Sequence, residues 1–328
     1  MSEQVEAPDL RSARALVEPV RRELVEAFPA EMRRVVGYHL GWWDADLTPV
    51  RAGGKDLRSA LVLAAARAVG EVAGPRPPTL RAAAAVECVH DFSLLHDDVM
   101  DGDRLRRGRP AAWTVFGPGR AVLAGDLLLA AASELLADGP GHPVLAAAVT
   151  ELCRGQARDL EFESRQDVSL DEALAMAEAK TGALLGCACE LGALAGGGSA
   201  GQAAALRRFG REAGVAFQLV DDLLGIWGVP AVTGKPVFAD LAARKKSLPV
   251  VAALTSGTAA GDALAAIYRS SRVPGADAAR LIELAGARAW AAGEAARRVS
   301  GALTALDRAG AHSTELASLA HLITARSH

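Results

Sequence analysis

Alanine-rich runs at helical spacing recur along the whole chain, and alternating strand patterns are essentially absent. Segments such as "LVLAAARAVG" and "RAAAAVECV" favour helix because alanine loses no side-chain entropy there. The expected fold class is therefore all-α. A first amphipathic helix, "LRSARALVEPVRRELVEAF", begins after Asp9, and "DLRSALVLAAARAVGEVA" is halted by "GPRPP". Thr79 then reads as the N-cap of "LRAAAAVECVHDFSLLHDDVMD". "SLDEALAMAEAKTGALLGCACELGALAG" is two helices, or one broken near Lys180-Thr181-Gly182. "GQAAALRRFGREAGVAFQLVDDLLGIWG" is long and periodic. Past Ser247 three or four more helices are expected, the longest over "DAARLIELAGARAWAAGEAARRVSGALTAL".

With 328 residues, 51% of them hydrophobic and 23% charged, the chain can bury a sizeable core. No shift in composition marks a boundary. The expected organisation is a short flexible N-terminus, residues 1–8, and one large helical domain over 9–328. A net charge of -3, no basic stripe and only 4% aromatic residues argue against a nucleic-acid partner. Cys88, Cys153, Cys187 and Cys189 form no CxxC pair and read as buried small residues. The first residues lack the pattern of a signal peptide, and charge interrupts the most apolar runs. The expectation is a cytoplasmic protein without a membrane span.

The segment "LLHDDVMDGDRLRRGRP", Leu94 to Pro110, sets an acidic cluster against a basic one. In a helix Asp97 and Asp101 are four residues apart and share a face, where two carboxylates repel each other. Such a pair is either an exposed acidic helix end or a site for a divalent cation. Mg²⁺ takes few protein carboxylates and completes its shell with water and phosphate oxygens. A second pair, Asp221 and Asp222, also lies behind an apolar face, "AGVAFQLV". Two such helices facing each other would hold a polyphosphate through metals. Cations stand near turns and helix ends: Arg106, Arg107, Lys180, Lys235, Lys245 and Lys246, with Lys55 and Arg58 after a glycine pair in "GGKDLR". Separate metal and cationic groups suggest two phosphate groups, and apolar helical walls suggest hydrocarbon tails.

These motifs, in order from about Gly53 to Pro249, resemble the trans-isoprenyl diphosphate synthase (polyprenyl synthetase) family. They are "GGKDLR", "VECVHDFSLLHDDVMD", "RLRRGRP", "VLAGDLLL", "GQARDLEF", "KTGALL", "AFQLVDDLLG", "GKPVFADL" and "KKSLP". The resemblance implies an all-α isoprenoid synthase fold around a central cavity and a homodimer. It also implies condensation of isopentenyl diphosphate with an allylic diphosphate. Asp97, Asp101 and Asp221 match the metal ligands, with Asp98 and Asp222 beside them, and three Mg²⁺ are implied. Arg106, Lys180, Thr181, Gln218, Lys235 and Lys245 match the allylic diphosphate site. Lys55, Arg58, His90 and Arg107 match the isopentenyl diphosphate site. Gln156 and Asp159 match a motif near the metals, whereas His96 has no match and reads as structural.

The chain departs from the pattern in places. Gly225 stands where a third Asp is frequent, Ser59 where proline is common, Asp56 beside Lys55, and Ala243-Arg244 where Glu-Gly is common. The tail is expected to run down the helix that carries Asp97, so Phe92, Ser93 and Val89 are the candidate chain-length residues. A C20 product is expected first, then C15, with C10 open. A class I terpene cyclase needs no second diphosphate site, and Lys55, Arg58, His90 and Arg107 argue against it. A regulatory subunit or an encapsulated cargo protein would be expected to lose aspartates, and here both leading pairs remain.

Overall fold

The computed structural model describes residues 10–50, 56–229, 237–270, 273–311 and 313–324. Helices dominate, as expected. They are α1 (Leu10–Glu26), α2 (Ala30–His39), α3 (Leu57–Ala68), α4 (Pro77–Met100), α5 (Ala112–Phe116), α6 (Pro118–Leu135), α7 (Gly141–Ser164) and α8 (Leu170–Ala177). After a π-helical turn, Glu178–Gly182, come α9 (Ala183–Ala195), α10 (Ala200–Trp227), α11 (Ala239–Ala242), α12 (Leu248–Leu254), α13 (Ala259–Arg269), α14 (Ala276–Leu284), α15 (Ala287–Arg308) and α16 (Thr314–Thr324). Apart from an isolated bridge, the sheet among the described residues is one antiparallel pair, Leu105–Arg106 with Arg109–Pro110. No single described helix is long and apolar enough to cross a membrane.

Four local expectations need correction. Cys88, Cys187 and Cys189 are buried as expected, but Cys153 is exposed. Thr79 is not the N-cap of α4. The helix begins at Pro77, whose fixed φ suits a first helical position. Glu71 instead accepts the Arg76 N–H (3.0 Å) and the Thr79 hydroxyl (3.0 Å), so a carboxylate from the preceding turn closes that end. Among the described residues the last third holds five helices past Ser247 rather than three or four. The long run expected there is divided between α14 and α15 by Gly286, whose φ of 80° glycine adopts without a Cβ clash.

The described residues fall into two compact units. One is drawn from Pro8–Ala147 and Cys187–Leu206, the other from Ala148–Gly186 and Arg207–His328. In the first, α3 is buried from Leu61 to Ala66 on every face. Alanines and Gly192 make that possible: a Cβ at 192 would overlap the Val62 carbonyl, so the α9 segment lies directly on α3. In the second, Phe162, Met176, Val215, Leu219, Leu248 and Val251 share a core with Ala291 and Ala295 of α15. Glycines allow close packing here too, since a Cβ at Gly214 would come 2.6 Å from the Gly182 Cα.

Candidate active site

In the first unit the acidic turn closes α4. Asp97 is half-buried and Asp101 exposed, and the Asp101 N–H donates to the Asp97 carbonyl at 2.8 Å. A helix C-terminus carries partial negative charge, so two carboxylates there favour a nearby cation. Asp98 turns the other way. It is 1% exposed, and its Oδ1 accepts from Arg106 Nε (2.7 Å) and Nη2. Its buried Oδ2 has no partner among the described residues. Burial alone would lower the Arg106 pKa, but the bond to Asp98 and the charges of Asp98, Asp103 and Asp97 raise it.

Arg106 leads into the hairpin. Arg107 and Gly108 form its two-residue turn, with φ of 54° and 73°. Positive φ at both turn positions matches the strand twist; Gly108 takes it freely, and Arg107 does so at a cost of about 1 kcal/mol or more. Tyr38 Oη donates to the Pro110 carbonyl (2.8 Å), and Arg109 donates to the carbonyls of Tyr38 (3.2 Å) and Trp43 (3.0 Å), so the hairpin is tied down. A small cavity beside it is lined by Tyr38, His39, Arg106, Arg107 and Arg109.

The structure groups Arg58, His90 and Arg107 electrostatically. Burial holds His90 well below its ordinary pKa, with Arg58, Arg107 and His39 adding to the effect against Asp91. His90 is thus a neutral imidazole with one N–H to donate near neutral pH. Burial also lowers Arg58, against the pull of Glu87 and Asp91 and with Arg107 adding to it. The buried Arg58 Nε has no partner among the described residues. Crowded cations with an unsatisfied donor are stabilised by an anion. Ser59 explains its own departure from proline. Its N–H (2.9 Å) and Oγ (2.8 Å) both donate to buried Glu87, a bond that proline cannot make.

In the second unit, a chain of hydrogen bonds runs through the expected residues. Lys180, in the π-helical turn, donates to Asp159 on α7 at 2.7 Å. Thr181 Oγ1 donates to Gln218 Oε1 (2.7 Å), and Gln218 Nε2 donates to Asp222 Oδ1 (2.7 Å). Asp222 Oδ2 accepts the Leu248 N–H (2.8 Å) and so caps α12. Asp222 is 3% exposed, and burial, with Asp240 adding and Lys245 opposing, pushes its pKa up to about 7. Asp221, one residue earlier, is exposed. Gln156 is buried, and neither end of its amide has a partner among the described residues. The π-helical turn coincides with the helix break expected near Lys180. Gly155 permits it, because a Cβ there would overlap the Lys180 backbone nitrogen.

Lys245 is held charged. Burial would lower its pKa, but Asp159, Asp240, Asp222 and Asp221 raise it. Lys246 lies apart from that group, donating to the carbonyls of Phe162 and Glu163 near the C-terminus of α7. At Gly225 a Cβ would overlap the Asp240 carboxylate. Lys55 and Lys235 lie outside the described residues, as do the first eight residues.

Of the candidate chain-length residues, Val89 and Phe92 are buried, and Ser93 Oγ donates to the His90 carbonyl at 2.7 Å. The Phe92 ring meets His96 edge-on with centroids 4.7 Å apart, and His96 Nε2 lies 3.0 Å from the Val122 carbonyl. Gly125 leaves room for that imidazole, since a Cβ there would come within 2.5 Å of its Cδ2. Sequence reasoning missed Arg21, His39, Glu87, Asp91 and Asp240. Two carboxylates four residues apart inside an apolar run, Glu87 and Asp91, were a signal for buried, partnered charge.

Among the described residues, no three His, Cys, Asp or Glu gather closely enough to hold a metal alone. Mg²⁺ needs no such group, since it accepts one or two carboxylates and leaves its other positions to water and phosphate. In the first unit Asp97 is half-buried and Asp101 exposed, and in the second Asp221 is exposed, so each unit offers carboxylates that a cation can reach.

An all-α chain with two aspartate pairs and separate cationic groups defines a diphosphate-handling enzyme, and comparison with known proteins specifies the kind. The polyprenyl synthetase family model matches residues 47–284. A (2E,6E)-farnesyl diphosphate synthase of Mycobacterium tuberculosis is 45% identical, over 97% of this chain and 93% of its own length. A geranylgeranyl diphosphate synthase of the same organism is 46% identical over the same shares. A polyprenyl synthetase structure from Streptomyces coelicolor superposes with a TM-score of 0.88 at 42% identity, covering 95% of this chain and 98% of that one. A geranylgeranyl pyrophosphate synthase from Corynebacterium glutamicum, complexed with isoprenyl diphosphate and magnesium, gives 0.81 at 26%, covering 98% and 99%. The chain belongs to the polyprenyl synthetase family. It is a trans-prenyltransferase of the short-chain class.

Proposed function

We propose that the enzyme condenses isopentenyl diphosphate with an allylic diphosphate, head to tail, and that its main product is C20 geranylgeranyl diphosphate. The observation that carries the acceptor half is the grouping of Arg58, His90 and Arg107, with the buried Arg58 Nε left without a partner among the described residues. A terpene cyclase, which ionises one diphosphate without an acceptor, has no use for a second cationic group.

In this reading Arg58, His90 and Arg107, with Lys55, grip the diphosphate of the acceptor. Lys180, Thr181, Gln218, Lys245, Arg106 and Lys235 bind that of the allylic substrate. Asp97, Asp101 and Asp221 would hold Mg²⁺, three ions in all, which when bound neutralises charge on the departing diphosphate. Lys180 and Lys245 add fixed positive charge where the allylic C–O bond breaks. The double bond of isopentenyl diphosphate then attacks the allylic cation, forming the new C–C bond. A proton leaves to create the new trans double bond, and the departing diphosphate accepts it. Apolar walls keep water from the cation. Asp98 and Asp222 are read as positioning carboxylates, since one holds Arg106 and the other caps α12. The protein is read as a homodimer of one domain per chain acting in the cytoplasm.

Incubation of purified enzyme with Mg²⁺, isopentenyl diphosphate and a C15 allylic diphosphate tests this reading by mass spectrometry. A linear C20 diphosphate is expected. Products that stop at C15 from C5 or C10 primers would overturn the assigned length and leave the reaction class. A cyclic hydrocarbon formed without isopentenyl diphosphate would overturn the class.

A further inference from the structure

One buried carboxylate of the first unit has no part in the reading above, yet charges from several elements converge on it. Asp91 follows His90 on α4 and is 2% exposed. Its Oδ2 accepts a hydrogen bond from Arg21 Nη2 of α1. Its Oδ1 lies 3.3 Å from His39 Nε2 of α2 and 3.7 Å from Arg107 Nη2 at the hairpin tip. Burying a lone carboxylate costs several kcal/mol, roughly, unless a partner charge compensates it. Here Arg21 does so. It is 6% exposed, with Asp56 3.8 Å away and Glu87 also acting on its charge. Burial would raise the Asp91 pKa, but Arg21, His39 and Arg107 hold it well below the carboxylate range.

Arg107 is the informative partner. It occupies a strained turn position, with φ of 54°, and its side chain is 28% exposed. A strained, part-exposed arginine needs a fixed counter-charge to hold one geometry. A carboxylate that supplies this would also repel a diphosphate arriving at the same cations. The inner ion pair resolves the conflict: Arg21 offsets the charge of Asp91 through Oδ2, while Arg107 lies nearer Oδ1.

We propose that Asp91 is a positioning residue for the isopentenyl diphosphate site, anchoring Arg107 and His39, and that Arg21 neutralises it so that the site keeps a positive field. The proposal rests on the reading of Arg58, His90 and Arg107 as acceptor-diphosphate ligands.

Steady-state kinetics on the full-length enzyme test it, with each substrate varied in turn, for wild type, R107Q, R21Q and R21Q/D91N. R107Q tests the underlying reading and should raise KM for isopentenyl diphosphate. R21Q leaves Asp91 uncompensated and should raise that KM about tenfold, equivalent to about 1.4 kcal/mol. The allylic KM should stay within about twofold, a reproducibility margin well below that tenfold effect. R21Q/D91N removes both buried charges and should recover part of the loss, to about threefold above wild type, because the repulsion is gone and only the anchor is missing. If R21Q does not fold, the double variant decides alone by the same threefold rise. The proposal is overturned if R107Q raises the KM while R21Q and R21Q/D91N change only thermal stability. It is also overturned if the double variant is as impaired as R21Q, or if both substrates' KM values rise together. An unchanged KM in R107Q would remove the acceptor-site reading and the proposal with it.

Discussion

The Asp240 carboxylate occupies the space into which a side chain at Gly225 would project. A side chain at 225 would have to displace the half-buried Asp240 carboxylate, and a third aspartate there would set one carboxylate against another. Asp240 also adds to the field that keeps Lys245 charged. Restoring the common residue by G225D should therefore harm the enzyme, and G225A should do so too. Overpacking at this point is expected to cost about 1–3 kcal/mol. The checks are a lower Tm and a higher Mg²⁺ concentration for half-maximal rate in both variants. Improved activity in G225D would contradict the account.

Asp222 joins α10 to the first turn of α12 and closes the chain from Thr181 through Gln218. D222A would leave the Leu248 N–H and the Gln218 amide unpaired in the interior. The expected loss is about 2–4 kcal/mol of unfolding free energy, measured by urea denaturation. T181V, which only frees the end of the chain, should cost about 1 kcal/mol.

Phe92 is held edge-on against His96 in the space that Gly125 leaves open. If Phe92 limits the tail, F92A opens the pocket and shifts the products by at least one isoprene unit beyond those of wild type. Mass spectrometry of the product diphosphates measures this. An unchanged distribution with a lowered Tm would make Phe92 a packing residue only.

Asp56 gives a pH signature. Burial, with Glu87 adding, pushes its pKa up to about 6 against Arg14 and Arg21, while the unfolded value is about 3.9. The folded chain thus binds more protons at this group between roughly pH 4 and 6. Its stabilising contribution is full below about pH 4 and is lost as pH rises through about 6. The difference in unfolding free energy between wild type and D56N should fall by about 1–2 kcal/mol from pH 4.5 to 7. A difference that stays flat across this range would contradict it.

The helical fold was legible because alanine propensity and the 3.6-residue period agree along the chain. The π-helical turn was legible as a break, since Gly182 and the cluster around Lys180 interrupt the period. The candidate metal and phosphate residues were named from their order and spacing, and hydrogen bonds tie some of them together, Lys180 to Asp159 and Thr181 to Gln218. What was not legible depends on distant partners. The inward turn of Asp98 follows from Arg106 closing over it, and the cap on α12 comes from Asp222, 26 residues away. The spacing of Glu87 and Asp91 signals buried charge, but the partner of Asp91, Arg21, stands 70 residues earlier and is seen only in the fold. The division of the last long run required knowing that Gly286 takes a positive φ, which the helix-forming neighbours Leu284-Ala285 and Ala287-Arg288 conceal.

The most direct test of the central claim is the rate at which labelled isopentenyl diphosphate enters product, compared between wild type and D97N at saturating Mg²⁺ and allylic diphosphate. The account predicts Mg²⁺-dependent incorporation by wild type and a loss of at least about 10²-fold in D97N, the scale seen when one electrostatic contact to a developing charge is removed. Incorporation by D97N within a few-fold of wild type, or no incorporation by wild type, would contradict it.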